Sequence, residues 1–392
     1  MEQKNTPHKV EFHGRGGEFF GIWIVNILLS IVTLGVYSAW AKVRTKRYFY
    51  GNTHIDGDSF EYHAQPLQIL KGRLVALAIL LIWSIANSFF PVASMALLLV
   101  FYVALPWLLW SNARFDAAMT SYRNVHFAFS APLQQAYVTL LGRGVGAVLV
   151  MLIYLAIAIA LASASVTAAI IMAVGFLIVM ALVYAWVVVG MHRFFINGYQ
   201  YGDWKFSADL ELGFFVKTYL KALSMGVVAA IIFAAITVFG FTDGITLSQL
   251  QNGDFSSLEE GTTAAVMMMV AYGAMIVLTI VLSAYTATCV RNYVFSQSLA
   301  KHDEQQELEY RFCSTLTVGG YVWLVMSNFL LQVVSLGIAR PWVMVRTTAY
   351  LAERTAVIGD MSQLIAKDTD SDVKSAVSDE VAQAFDLGLG IG

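Results

Sequence analysis

Long stretches of the chain contain no Asp, Glu, Lys or Arg, and short polar segments separate them. Four of these stretches contain 40, 49, 21 and 30 residues and cover positions 74–113, 144–192, 222–242 and 261–290. A membrane-spanning helix needs about 20 apolar residues, so the four stretches have room for two, two, one and one spans. The pattern predicts a polytopic α-helical membrane protein with six full spans.

Two further uncharged stretches, of 23 and 28 residues, lie near the ends of the chain at 19–41 and 312–339. Each has room for a single span or for a re-entrant pair of half-helices broken at Gly35 or Gly337. Such breaks are tolerated at membrane depth where protein buries them. The re-entrant alternative is favoured, because it leaves both termini and all 24 Lys and Arg residues on one side of the membrane.

The distribution of charge orients these spans. The chain is 58% hydrophobic and 13% charged, whereas soluble domains are about 25% charged. The polar segments at 42–73, 111–143, 191–221 and 291–311 together carry 16 of the Lys and Arg residues, and the connection at 242–262 carries only acidic charges. Because cytoplasmic loops retain Lys and Arg, we expect the basic segments and both termini in the cytoplasm and 242–262 outside.

The two ends of the chain resemble each other. The segment 34–45 aligns with 336–347 at an offset of 302, and the offset pairs several other residues of the same type. These pairs are Gly17 with Gly319, Asn26 with Asn328, Trp40 with Trp342 and Arg44 with Arg346. Matches of Gly, Asn, Trp and Arg at one offset indicate an internal repeat. We expect the first and last units to lie side by side and close a ring.

A second periodicity joins the basic segments. Arg47, Arg114 and Arg193 are each followed 13 residues later by a phenylalanine, and Arg291 is followed by Tyr310 after 19. Turn sequences such as Asp56-Gly57 lie between arginine and aromatic, which is a hairpin signal. The sequence therefore predicts a cytoplasmic β-hairpin after each membrane excursion. Neighbouring hairpins should pair or stack along Phe60, Phe127, Phe206 and Tyr310.

These periodicities divide the chain into six segments. Residues 1–64 and 314–360 form terminal units, each with a re-entrant or single-span element. Residues 65–130, 131–208 and 209–313 each hold a pair of spans followed by a hairpin, and 361–392 form a polar cytoplasmic tail.

Several motifs resemble one known family. They are Gly17-Glu18-Phe19-Phe20, the run at 33–44 and the run at 47–53. Together with the remaining pattern from about Val10 to Asp360, they are similar to the YjgN-type family of bacterial inner-membrane proteins. That family usually has a proline where Ala39 stands, and Pro341 retains it in the second copy. The resemblance implies a bacterial inner-membrane location and no assigned activity.

Polar residues at membrane depth are the first candidates for a site. Ionisable side chains inside membranes are costly and usually functional, and the sequence places none within the six full spans. Proton-coupled carriers and ion pumps are therefore disfavoured. The equivalent Asn26 and Asn328 are candidates for a polar substrate site, although hydrogen bonding between helices would also explain them.

Basic and aromatic residues at the cytoplasmic interface are the second candidates. Five of them have the charge to bind anionic lipid headgroups: Lys42, Arg44, Lys46, Arg47 and Arg346. Retention of positive charge on the cytoplasmic side is the simpler explanation. Trp40 and Trp342 are expected to be interfacial anchors on the same face.

No sequence motif indicates catalysis. Nucleophile, phosphate-loop and dinucleotide patterns are missing, and the seven histidines have no metal-binding spacing. We therefore expect a non-enzyme without metal or cofactor, with membrane lipids as partners and no nucleic acid. The favoured function is transport or handling of a substrate that is neutral, or amphiphilic like a lipid, without charge coupling inside the membrane. The alternative is a scaffold or assembly factor that docks a cytoplasmic protein.

Overall fold

Six long apolar helices dominate the fold. The computed structural model describes residues 7–163, 165–241, 262–302 and 308–367. The connection at 242–262, expected outside the inner membrane, and the end of the tail at 368–392 fall almost wholly beyond the described residues. Six of the described helices are long and apolar enough to cross a membrane. This agrees with the six spans predicted from the uncharged stretches.

Ten helices follow one another along the described chain. In chain order they are α1 Gly16–Val32, α2 Ser38–Gly51, α3 Pro66–Phe89, α4 Pro91–Ala118, α5 Leu133–Ala162, α6 Val166–Gly198, α7 Leu212–Phe241, α8 Thr262–Gln297, α9 Val318–Val334 and α10 Arg340–Glu353. Helix α5 contains a π-helical turn at Tyr137–Gly142. Prolines at the first helical position begin α3 and α4, where the missing N–H has no cost.

Ten short strands connect the helices. They are β1 Pro7–Phe12, β2 Thr53–Ile55, β3 Asp58–Tyr62, β4 Thr120–Tyr122, β5 Val125–Phe129, β6 Tyr199–Tyr201, β7 Trp204–Ala208, β8 Ser298–His302, β9 Glu309–Ser314 and β10 Thr355–Ile358. Every neighbouring pair is antiparallel, and together the strands form one closed barrel.

Two-residue turns join the strands of the first three hairpins. Asp56-Gly57 and Arg123-Asn124 both have positive φ at their two central positions, the geometry that matches the twist of two-residue hairpins. The four predicted hairpins are present, and their cytoplasmic location stays a prediction. Because the turns all lie at one end of the strands, the helices all leave the barrel from the other end.

The helices form a ring that continues the barrel. Each helix packs against the next in chain order from α1 to α10, and α10 packs against α1. The ring closes as expected, since β1 also pairs with β10 through Pro7 and Ile358. The Trp342 ring lies 4.9 Å from the Phe20 ring and contacts Gly16, where any Cβ would collide with it.

The terminal helix pairs leave the barrel and return to it. Strand β1 precedes α1 and pairs with β2, which follows α2; β9 and β10 enclose α9 and α10 in the same way. At the tips, Leu34 and Leu336 both have a φ of 50° and are 95% and 92% exposed. A leucine with a backbone in the left-handed region is rare. The two tips therefore share an uncommon backbone conformation at corresponding positions.

Candidate binding cavity

The barrel and the helix ring together line one continuous, partly open cavity of about 910 Å³. The volume lies near the top of the range of about 300–1,000 Å³ that is typical of small-molecule sites. Two layers of residues line the cavity. The barrel contributes Ile55, Phe60, Tyr122, Phe127, Tyr199, Tyr201, Trp204, Phe206, Ser298, Ala300, Tyr310, Phe312 and Val357, and the helices contribute residues that include Tyr184, Val188, His192, Tyr219, Thr286, Ala287, Val290, Arg291 and Phe295.

A ladder of phenylalanines runs around the inside of the barrel. Ring centroids are 6.3 Å apart for Phe60 and Phe127, 6.5 Å for Phe127 and Phe206, and 5.6 Å for Phe206 and Phe312. The predicted stacking is confirmed for the first three positions but wrong for Tyr310, whose place Phe312 takes. Both residues point inward, because side chains two positions apart lie on one face of a strand.

The turn end of the barrel is closed by residues 361–367, which the sequence assigns to the tail. Met361 is 3% exposed, and the Trp204 indole N–H donates a hydrogen bond to the Ile365 carbonyl at 3.0 Å. Arg123 Nη1 donates to the Met361 carbonyl at 2.8 Å. We call residues 361–367 the plug. The cavity therefore has a floor at the turn end.

Buried hydroxyl groups hold this floor together. Tyr122 donates to the Ile55 carbonyl at 2.7 Å, and Tyr310 donates to the Asp360 carbonyl at 2.6 Å. Burial raises the pKa of Tyr122 to about 12 and the pKa of Tyr310 to about 12. Both phenols are therefore neutral donors at physiological pH.

Asp203 links the plug to the barrel. Its carboxylate accepts from His302 Nε2 at 2.8 Å and from the Lys367 backbone N–H at 3.2 Å. Partial burial opposes its ionisation, but these hydrogen bonds outweigh that effect and lower the pKa of the carboxyl group. The ionised form is thus the one that fastens the plug.

At the end opposite the turns, where the helices lie, mainly apolar and aromatic side chains of α6, α7 and α8 line the cavity. The rings of Tyr184 and Tyr219 meet edge to face at 4.8 Å. Ala287 is exposed to the cavity space. Few residues of the six long helices are buried, and α5 has none in its most apolar window. The helix layer of the cavity therefore adjoins surfaces suited to lipid.

Arg291 and His192 are the basic residues of the cavity wall, which contains no Asp, Glu or Lys among the described residues. Arg291 Nη2 donates to Thr355 Oγ1 at 3.1 Å, and its guanidinium carbon lies 4.5 Å from the Phe295 ring centroid. Arg291 Nε is buried without a hydrogen-bond partner. The sequence marks Arg291 as a basic residue at a span end and as the fourth arginine of the arginine–aromatic periodicity, and does not identify it as a cavity residue.

A carbonyl group just before the helix that follows each hairpin accepts a hydrogen bond from the helix that precedes the hairpin. Arg47 Nη2 donates to the Ala64 carbonyl at 3.2 Å, and Arg193 donates to the Leu210 carbonyl. Trp110 Nε1 donates to the Ala131 carbonyl at 2.7 Å. In the fourth hairpin the donor to the Leu316 carbonyl is Asn292 Nδ2, at 2.8 Å. Asn292, and not Arg291, is therefore the residue that corresponds to Arg47 and Arg193. The alignment made from the sequence alone is displaced by one residue in this hairpin.

The predicted polar site residues lie outside the cavity wall. Asn26 and Asn328 are 5% and 6% exposed, one in each terminal helix pair. Asn328 Nδ2 donates to Thr347 Oγ1 at 3.0 Å, and Arg346 donates to Asn328 Oδ1 at 3.4 Å. Both amide atoms of Asn26 are buried without a partner among the described residues. The structure does not bring the two asparagines together with the cavity, and their role as a site stays a prediction.

The headgroup candidates differ in their contacts. Lys46 Nζ lies 2.5 Å from Asp116 Oδ1, and Arg47 holds the chain of its own hairpin. Arg44, Arg47 and Arg346 are exposed, while Lys42 and Lys46 are half-buried. Lys46, Arg47 and Arg346 each have a partner within the protein, and the exposed Arg44 and Arg346 retain access to a headgroup.

The two tryptophans predicted as anchors each contact a neighbouring helix pair. Trp40 packs against the cluster that contains Ile69 of α3, and Trp342 packs against Phe20 of α1. Both stand on the helix that returns to the barrel. Within the part of the chain that the structure describes, no three His, Cys, Asp or Glu side chains converge as metal ligands would.

The fold defines a polytopic α-helical membrane protein whose helix pairs are joined at one end by strands. The chain belongs to the family described as "Bacterial protein of unknown function (DUF898)", whose sequence model matches residues 7–384. This match and the curated relatives described next confirm the resemblance noted in the sequence.

Curated relatives carry one name. The protein called "Inner membrane protein YjgN" in Salmonella typhimurium is 26% identical over 377 residues, which cover 92% of this chain and 91% of the relative. Two Escherichia coli proteins of that name are 26% and 25% identical over 382 residues, which cover 93% of this chain and 92% of each relative. No solved structure matches the chain significantly.

Proposed function

We propose that this protein binds a membrane amphiphile in the cavity and handles it between the bilayer and the barrel. The observation that supports the proposal is the continuity of an aromatic, apolar cavity from the strand barrel into the helix ring. Apolar walls favour an acyl chain, because each buried CH₂ group contributes about 0.8 kcal/mol.

The scaffold alternative receives less support from the barrel. Docking through a sheet needs an unpaired strand edge, and each described strand has two neighbours in the closed barrel. The turns and the plug remain as surfaces for a cytoplasmic protein. Since nothing in their contacts specifies such a partner, amphiphile binding is the function we favour.

Filling the cavity tests the proposal. Ala287 lines the cavity on α8, so we expect Ala287→Trp to reduce lipid that co-purifies with the protein by about tenfold or more, since overfilling a site costs about 1–3 kcal/mol. Lipid bound per protein would be measured by native mass spectrometry after mild detergent extraction.

The matched control is Ala274→Trp on the same helix, where Ala274 is exposed and does not line the cavity. This variant should retain the lipid of the wild type. Equal lipid content in both variants and the wild type would show that the bound lipid lies outside the cavity.

We further propose that the terminal helix pairs are re-entrant and that both termini are cytoplasmic. Helices α1 and α9 each have 17 residues and are about 26 Å long at 1.5 Å per residue, short of the ~30 Å bilayer core. Both pairs return to the barrel. Exposed Arg44 and Arg346 would then lie on the returning helices near anionic headgroups.

Single cysteines at the tips test this topology. In a variant without Cys289 and Cys313, cysteine at Leu34 or Leu336 should resist a charged thiol reagent from either side of the membrane. A lipid-soluble maleimide should label both. Cysteines at Lys9 and Gln363 are the controls and should react only from the cytoplasmic side. Labelling of Leu34→Cys from the periplasm would instead show a full span.

A further inference from the structure

The cavity contains an arginine without a counter-ion among the described side chains. Arg291 forms no ion pair within the described residues, and its one hydrogen bond goes to the hydroxyl group of Thr355. A guanidinium group has five N–H donors, and the Nε donor of Arg291 is buried without a partner. Arg291 is half-buried, and a charge withdrawn from water is costly unless an anion or further acceptors compensate it.

Arg291 is not required for the backbone bond that the other hairpins need. Arg47 and Arg193 donate to the carbonyl group that precedes the next span, and Asn292 makes that bond in the fourth hairpin. Asn292 also accepts from the Leu316 backbone N–H at 3.1 Å and from Ser314 Oγ at 2.8 Å. Because Asn292 makes these bonds, the neighbouring Arg291 is not needed for them, and its side chain lines the cavity.

The surroundings of Arg291 combine charge with apolar surface. Its guanidinium packs on the face of Phe295, and Val290, Val294 and Tyr321 line the same cavity. A planar guanidinium matches the two oxygens of a carboxylate or phosphate group. The phenylalanine ladder and the apolar helix walls offer no comparable partner for a second charged group.

We infer that Arg291 binds the anionic headgroup of an amphiphile whose acyl chain occupies the cavity. The inference rests on the proposed function and specifies its substrate class as an acyl-chain lipid with a negatively charged carboxylate or phosphate head. The apolar walls supply affinity for the chain, and Arg291 selects the charge.

The test uses full-length protein in detergent and three probes with one chain: oleyl phosphate, oleic acid and oleyl alcohol. We expect the wild type to bind the two anions about tenfold or more tightly than the alcohol, as charged hydrogen bonds allow. Arg291→Met should remove this preference while leaving alcohol binding unchanged, and Arg291→Lys should retain part of it. Inorganic phosphate should not displace any probe, because it lacks the chain.

Arg311→Met is the matched control, since Arg311 is exposed and pairs with Glu309 at 2.5 Å. It should preserve the anion preference. The melting temperature of ligand-free Arg291→Met should be no lower than that of the wild type, because a half-buried charge without a counter-ion among the described residues is removed. A variant that unfolds or melts earlier would show that Arg291 is structural and would overturn the inference.

The outcomes separate this inference from the proposed function. Equal binding of anions and alcohol by the wild type, with loss of both in Ala287→Trp, overturns the role of Arg291 and leaves the cavity as a lipid site. Displacement of a probe by inorganic phosphate alone would indicate a site for free anions. It would overturn the inference that the ligand is an amphiphile. Failure of all three chain-bearing probes to bind would contradict both proposals.

Discussion

Replacement of Trp204 by alanine should destabilise the protein by about 3–5 kcal/mol, the usual cost of truncating a buried tryptophan. Trp204 is 1% exposed and packs edge to face on Tyr310 and His302, with centroids 5.0 and 5.2 Å apart. Its indole N–H also holds the plug through Ile365. The loss would be measured as a lower melting temperature in detergent.

The matched control for this prediction is Trp323→Ala. Trp323 stands on α9 and is 70% exposed, so its removal should leave the melting temperature nearly unchanged. The plug supplies a second measurement. In Trp204→Ala, limited proteolysis should cleave within 361–367 faster than in the wild type. Equal stability of the two tryptophan variants would contradict a packed floor at the turn end of the barrel.

The two equivalent asparagines should respond to leucine with opposite signs. Asn26 is buried with both amide atoms unpaired among the described residues, and an unsatisfied buried polar group costs about 1–3 kcal/mol. Leucine has nearly the same shape as asparagine, so Asn26→Leu should raise the melting temperature of the protein. Asn328→Leu should lower it, because Thr347 and Arg346 lose the amide that joins them.

This pair of variants also tests the polar site expected from the sequence. A fall in stability for Asn26→Leu that matches Asn328→Leu would mean that Asn26 has a polar partner in the membrane. Lipid binding should be unaffected in either variant, since neither asparagine lines the cavity. A loss of bound lipid in Asn26→Leu alone would assign Asn26 to a substrate site after all.

The membrane helices could be predicted from local pattern because their determinant is local. Absence of charge over 20 or more residues decides whether a helix can cross a bilayer. The six predicted spans therefore agree with α3 to α8. The hairpins are local in the same sense, since Asp56-Gly57 accommodates the positive φ values that a two-residue turn needs.

The candidate cavity could be predicted only in part. Aromatic periodicity placed Phe60, Phe127 and Phe206 on a common face, and the structure joins them into one ladder. The fourth position was wrong because the polar insert before β9 makes the register ambiguous, and a shift of two residues keeps the same face. Strands β1 and β10 had no turn signal of their own and were not predicted.

By itself, the sequence determined the number of long apolar helices and the hairpins between them, because runs of apolar residues and turn chemistry act over short distances. Only the tertiary structure decided that the strands close into one barrel, that 361–367 form its floor and that a cavity remains inside. It also decided that Asn292 makes the backbone bond while Arg291 faces the cavity. Successive side chains on a helix point about 100° apart. Which of two neighbouring residues faces the cavity therefore depends on how helices distant in the sequence pack around it.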